Sequence, residues 1–297
     1  MKKTLLALLI ASSAHAAPVI LDGEHTTAAD IAAIARGENV AVADSAQARV
    51  EKSFAVLLAA AKTGQPIYGF TVGVGWNKDR IFVDAKGELD QALIKASQDF
   101  NRGLIRAHVG AVGDTLPAEK VRAVLATRLN MVLTGSPGLQ PAYVQTYIEM
   151  LNKNVLPVVP SKGSIGQADI TILGHTALAM IGEGDVTYQG KRMPAREAFQ
   201  QAGIKTVEPY GKDALAILST NAYSLGLAAL QSEKLAQLDR MQHLVYALSL
   251  EGLNGNVSPI LADNVAAKGF PAGIQSAKTS RAATSGSATT TAPCKTP

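Results

Sequence analysis

Two stretches place reactive side chains beside glycine-rich backbone. Residues 67–76, IYGFTVGVGW, set Tyr68 next to Gly69, Gly73 and Gly75. Glycines this close together argue for a tightly turned or mobile loop. A tyrosine there is usually a packing residue. A phenol can also move a proton, provided neighbouring cations or hydrogen bonds bring its titration towards the working pH. Residues 155–185, VLPVVPSKGSIGQADITILGHTALAMIGEGD, open on an extended Pro-rich run, Leu156 to Pro160. They turn through Gly163, Ser164 and Gly166 and enter an apolar helix expected from about Asp169 to Ile181, with Asp169 as its N-cap. A helix start offers unpaired N–H groups, so such a loop can hold an anion or a strained reactive group, although most loops of this kind are only turns.

These stretches, with three others, resemble the histidine, phenylalanine and tyrosine ammonia-lyase family. YGFTVGVG is similar to the family's YGxNTGFG loop, and the resemblance gives Tyr68 the place of its catalytic tyrosine. That residue acts as a general base on the substrate's β-carbon or as an acid–base relay. Thr71-Val72 stands where the family has Asn-Thr. FNRGLIRAHVGAVG is similar to LQxNLIRSHAAGVG, which gives His108 the role of a substrate-contacting histidine; by itself, a histidine near a helix end more often offsets the helix dipole. GSIG, Asp169 and LGH, with GEG beyond them, resemble the family's GSVGASGDLAPLAH signature. KDALAILSTN at 212–221 resembles KEGLALINGTQ. GLNGNVSPI at 252–260 is similar to ALNGNVSPF and is expected to be structural.

The resemblance also shows a departure. In the family, Ala-Ser-Gly cyclises and dehydrates into the electrophilic cofactor MIO, a methylidene-imidazolone. Here the segment reads Gly166-Gln167-Ala168-Asp169, one residue shorter and without that serine. No MIO is therefore expected. The family's Asn beside the cofactor and leaving amine is Ser219 here, in a Ser219-Thr220-Asn221 cluster that would otherwise read as a helix cap. Two changes at one chemical locus point to a rebuilt leaving-group site, with Gly75, Gln167, Ala168, Asp169, Ser219 and Asn221 around the substrate. What the resemblance implies is a carbon–nitrogen lyase that eliminates an amine from a histidine-like amino acid or betaine and gives an α,β-unsaturated acid. Without MIO the amine must already leave easily, as trimethylamine does in the MIO-less, ergothionase-like branch. The alternatives are histidine ammonia-lyase proper, giving urocanate, and an inactive truncated remnant.

The elements that must hold these groups are mostly helical. The implied fold class is mainly α, a fumarase/aspartase-like helical bundle with a smaller N-terminal α+β region carrying the active-site loops. Val19–Leu21 reads as a strand before an Asp22-Gly23 turn. Helices are expected at about 28–36, capped by Thr26 or Thr27, then at 45–61 and 88–107, and as two helices in 117–152 broken by Gly135-Ser136-Pro137-Gly138. Arg128 and Asn130 are expected to be structural, with partners if buried. Arg106 reads as a solvated or ion-paired residue, Glu183 as a turn support and His175 as a core or supporting residue. A hairpin is expected at 186–193, with Gln189-Gly190 at its turn. A short helix is expected at 195–203. From Ala222 to Leu250 the pattern is one long helix, apolar at Leu225, Leu227, Leu230, Leu235 and Leu238, which suits a bundle.

At 297 residues the chain can bury a large core. Its net charge of +4 is small and no Lys/Arg cluster stands out, so nucleic acid is not an expected partner. Met1-Lys2-Lys3, apolar Leu5–Ile10 and Ala14-His15-Ala16 read as a secretory signal peptide spanning 1–16, which implies a periplasmic or secreted protein. No other stretch is a membrane candidate. Cys294 is the only cysteine, so no intrachain disulfide can form. The domain reading is an active-site domain over 17–210, the start of a central bundle over 211–277, and an aberrant or disordered tail over 278–297. Shifting the implied codons from Lys278 by one base permits DLARSYIWKRDDHRALQDP. Its end is similar to the stretch before the family's YSLRC motif, so a frameshift is expected there. The family's chains are much longer and form homotetramers with composite sites.

Overall fold

The computed structural model describes residues 17–81, 91–164, 168–267 and 269–285. Contacts divide the chain into two compact units, Met1–Leu230 and Gln231–Pro297. The expected signal peptide and the last residues of the tail lie outside the described residues.

The first unit opens with β1 (Val19–Leu21), α1 (Ala28–Ala35), β2 (Val40–Val42) and α2 (Asp44–Lys62). Of the two candidate caps, Thr27 closes α1. Its hydroxyl accepts from the Asp30 N–H, while the Asp30 carboxylate accepts from the Thr27 N–H. β1 and β2 pair in parallel, Val19 opposite Val40. The far edge of β2 is closed by the Asn152 amide, which bonds both N–H and C=O of Val40.

The core is built on α4 (Ala118–Val132), whose Val121 to Leu129 are all buried. A helix covered on every side belongs at the centre of a domain. Against it lie α1 and α5 (Pro141–Asn152), while α3 (Gln91–Ala107) enters the core through its second half and packs on the helices at Ile170–Met180 and Asp213–Leu218. Tyr143, Tyr147 and Met150 of α5 are fully buried. Arg122 is 5% exposed and clasps chain ends. Its guanidinium donates to the carbonyls of Ile34, Glu38 and Leu151 and to the Asn154 side chain. It thus ties together carbonyls at the ends of α1 and α5 and in the loop after α1.

β3 (Val112–Thr115) and β5 (Pro160–Lys162) form one antiparallel pair. β4 (Leu156–Pro157), β6 (Asp185–Tyr188) and β7 (Lys191–Pro194) form a three-stranded sheet. The β6–β7 turn takes positive φ at both Gln189 and Gly190, as a tight two-residue hairpin demands. α6 (Ile170–Met180), α7 (Ala195–Ala202) and α8 (Asp213–Leu218) complete the unit, and α9 (Ala222–Gly252) begins in it.

The second unit contains the rest of α9, a 3₁₀ turn at Ser258–Ile260, α10 (Ala262–Ala266) and α11 (Pro271–Ser285). α11 carries helix past Lys278 to Ser285, into the stretch read from sequence as irregular. His243 on α9 meets the Ser280 hydroxyl at 2.7 Å, and Ala277 is buried, so part of that stretch packs. No helix among the described residues is long and apolar enough to cross a membrane.

Candidate active site

Tyr68 is held by a loop pinned at several points. The Thr71 hydroxyl accepts from the Ile67 N–H at 2.6 Å and donates to the Gln65 carbonyl at 2.9 Å. Phe70 is buried and meets Tyr210 edge-on, ring centroids 5.6 Å apart. Gly69 sits at φ +79°, and a Cβ there would lie 2.7 Å from Leu215 Cδ2, so only glycine lets the loop rest on α8. The Tyr68 ring stays 45% exposed, and its hydroxyl accepts the Gly75 N–H at 2.7 Å. The loop glycines are thus part of the site: Gly75, at φ +55°, aims its N–H at the phenol.

Tyr68 lines a cavity of about 340 Å³ with Arg128, Ser136, Pro137, Lys212, Leu215 and Ser219. α3 braces the α8 wall from behind. Its buried Asn101 donates to the Gly211 carbonyl at 2.9 Å and accepts from the Ala214 N–H at 2.8 Å. Ser97 accepts from the Gly211 N–H at 3.1 Å. These bonds fix the start of α8, and with it Lys212, Leu215 and Ser219. Asp213, fully buried beside Lys212, turns away from the cavity. Its carboxylate accepts from the Gln140 N–H, the Gln140 side chain and the Tyr210 N–H. Burial outweighs those donors and pushes its carboxyl up to about 7.

Asp169 is placed as expected but does another job. It is the N-cap residue of α6, yet its side chain makes no capping bond. The carboxylate is fully buried and accepts from the Ser164 hydroxyl and from the Ser224 N–H and hydroxyl, the last two at 3.0 and 3.1 Å. Its N–H donates to the Thr220 carbonyl at 2.7 Å. Asp169 therefore staples the Gly/Ser loop to the Ser219–Asn221 corner, the two segments where the sequence departs from the family pattern. Ala168 beside it is half-buried, Ser219 and Asn221 are exposed, and Gln167 lies outside the described residues.

His108 closes α3. Its Nδ1 meets the Leu104 carbonyl at 2.7 Å, and it is not among the residues lining the Tyr68 cavity. Gly174 of α6 packs on the His108 backbone so closely that a Cβ would come within 2.5 Å of the carbonyl oxygen. His175 is half-buried, its Nε2 has no hydrogen-bond partner among the described residues, and burial lowers its pKa. Arg106 pairs with Glu183 at 2.6 Å, one of the two roles expected of this arginine. Asn130 accepts from the Gly23 N–H and the Thr26 hydroxyl, a structural role as expected.

Arg128 corrects the sequence reading. It is 4% exposed, but its Nε has no hydrogen-bond partner among the described residues, and Nη1 reaches only Met131 Sδ, at 3.9 Å. The sequence suggests a partnered structural residue there, and it draws no attention to Lys212 or Asn101. Only Lys212 has a signal to follow, since it opens the KDALAILSTN stretch.

A larger cavity, about 700 Å³, lies in the second unit around His243, Tyr246 and Phe270. Of the motif residues it contains only Pro259 and Ile260, from the stretch expected to be structural, so volume is the poorer guide here. No cluster of three metal-ligating side chains occurs among the described residues.

The family described as aromatic amino acid lyase matches residues 26–297. The chain belongs to that family. It is 35% identical to a histidine ammonia-lyase of Caldanaerobacter subterraneus subsp. tengcongensis over 239 residues, which is 80% of this chain and 45% of the relative. It is likewise 35% identical to a histidine ammonia-lyase of Treponema denticola, over 80% of this chain and 45% of that one. Among solved structures it matches an ergothioneine-degrading ergothionase from Treponema denticola, with TM-score 0.77, 36% identity, and coverage of 89% of this chain and 52% of the other. A tyrosine aminomutase from Streptomyces globisporus matches with TM-score 0.80, 28% identity, and coverage of 90% and 49%. The chain spans about half the length of the curated relatives it matches. The mainly helical lyase fold expected from the motifs is the fold observed.

Between Gly166 and Asp169 there is no serine to dehydrate. The nearby Ser164 has its hydroxyl bonded to the Asp169 carboxylate.

Proposed function

We propose that this chain carries the proton-abstracting part of an amine-eliminating lyase site, without MIO, acting on a histidine-like α-amino acid or betaine. The observation that carries the reading is the Tyr68 hydroxyl, held by the Gly75 N–H at the mouth of a cavity shared with Ser219. The base takes the β-proton. The C–H electron pair becomes the new C=C bond, and the C–N pair leaves with the nitrogen. A quaternary ammonium departs as a neutral tertiary amine and needs no electrophile to draw it off. The ergothionase likeness supports this substrate class, and Ser219 in place of the family's Asn fits a leaving group that needs no MIO beside it. His108, Gln167, Ala168, Asp169 and Asn221 shape the surroundings in this reading, Asp169 by fixing the two loops.

The test is to incubate the full chain with trimethylated histidine betaines and with L-histidine, assaying trimethylamine and ammonia. Trimethylamine from the betaine supports the proposal. Ammonia from histidine, with a mass deficit of two waters in the 163–169 loop, would replace it with histidine ammonia-lyase proper, the reading that the curated relatives' names favour. A folded chain with neither activity would mark an inactive remnant. We also propose assembly as a homotetramer and export to the periplasm or medium. Sedimentation and the mature N-terminus after Ala16 are the measurements that check them.

A further inference from the structure

We propose that the Tyr68 cavity contains its own anion subsite, formed by the guanidinium of Arg128 and the ammonium of Lys212, which takes the carboxylate of the substrate. The inference deepens the lyase reading and rests on it for the identity of the ligand.

Both cations line the same cavity as Tyr68 and Ser219. A buried arginine normally spends its five N–H donors on carbonyls or carboxylates. Arg122, earlier on α4, does so. Arg128 is equally buried and does not: its Nε is unbonded and its Nη1 faces a thioether. No ion pair to Arg128 or Lys212 is found among the described residues. Asp213, the acid adjacent in sequence, is engaged by Gln140 and Tyr210. Burial lowers the pKa of both cations, with no carboxylate acting on either. A buried charge without a counter-charge destabilises a fold unless something binds to it. The planar N–H edge of arginine matches a carboxylate's two oxygens, and the lysine ammonium adds a mobile point charge. Pro137, Leu215 and Ala216 give the cavity an apolar wall suited to the rest of a small organic acid rather than to a free inorganic ion.

The probe is 3-(imidazol-4-yl)propanoate, which has no amine to eliminate, compared with its neutral primary amide and with inorganic phosphate, each titrated calorimetrically into the full chain. The propanoate should bind at least tenfold more tightly than the amide or phosphate. Arg128→Gln should lose at least tenfold in propanoate affinity and leave the amide unchanged. Without ligand, its melting temperature should stay level or rise, because an unpaired cation has gone. Lys212→Gln, at a less buried position, should show a smaller loss of the same kind, and it reads the subsite even if Arg128→Gln fails to fold. Equal binding of propanoate and amide, or phosphate binding as tightly as propanoate, would overturn the assignment. So would full propanoate affinity in both variants. The two readings separate cleanly. Arg128-dependent binding without turnover keeps the subsite and removes the lyase activity; turnover with an unchanged KM in Arg128→Gln does the reverse.

Discussion

A carboxyl group kept from water holds its proton, and Asp213 is the residue where this should be measurable. Its carboxyl is raised from 3.8 to about 7, so the folded chain binds this proton more tightly than the unfolded chain does. The stabilisation is fully present below about 4 and is lost as the pH rises through 7. Denaturant titrations at pH 5 and pH 8 should show a loss of at most about 3 kcal/mol between them, which Asp213→Asn removes. The variant should also be less stable at pH 5, by about 1–2 kcal/mol, because its NH₂ faces a donor. An unchanged pH slope in the variant would place the titration elsewhere. Tyr68 allows the opposite separation. Its side chain is 45% exposed, so Tyr68→Phe should leave stability within about 0.5 kcal/mol. Elimination of the betaine should fall by about 10²–10⁴-fold, read as amine release under single-turnover conditions. Tyr68, Gly75 and Ser219 are legible in the sequence because each stands in a motif. Arg128 is not, since a residue's type announces its capacity for hydrogen bonds and cannot reveal that they go unmade.

Between elements, the sharpest constraint is where α6 meets the end of α3. Gly174 lies within a methyl group's reach of the His108 carbonyl, and backbone on both sides leaves no flexible group to yield. Gly174→Ala should cost about 1–3 kcal/mol and lower the melting temperature, with His108 displaced. A variant as stable as the parent would show that the helices can part without penalty. Arg122 joins α1, α4 and α5 in the same unit. Arg122→Met withdraws the guanidinium from three carbonyls, of which Ile34 and Leu151 keep a backbone N–H donor, and should cost about 1–3 kcal/mol in urea denaturation. The helices themselves are readable from apolar spacing and punctuation: α2 runs Asp44–Lys62 against an expected 45–61, and α5 begins at Pro141, just after the Gly135–Gly138 break. The β1–β2 pair is only half readable. A three-residue strand such as β2 has too few positions for alternation to show, and its other edge is closed by Asn152, far away in sequence. Asp169 shows a further limit: its type and place suit an N-cap, and a distant Ser224 claims its carboxylate instead.

For the whole molecule, the family and its helical class are carried by a handful of motifs, whereas the division at Leu230 leaves no mark in the sequence because it falls inside α9. The part of α9 in the second unit exposes Leu238, Met241, Val245 and Leu248, each 58–62% accessible. Their spacing of three, four and three residues is that of a coiled-coil seam. Leu235 and Leu244 widen it, at 63% and 48% exposed. A continuous apolar stripe on this scale is an association surface rather than a solvated face, and its relatives are about twice as long as this chain. We therefore expect the full chain to associate with itself at micromolar concentration through this seam. Leu238→Glu with Leu248→Glu should shift its sedimentation towards monomer. Because both side chains already face solvent, the paired change should alter unfolding of the first unit by no more than about 0.5 kcal/mol. A parent chain that sediments as a monomer would leave the seam without a role in assembly. Association that survives both substitutions would locate the interface on another face, and with it the proposed tetramer contact.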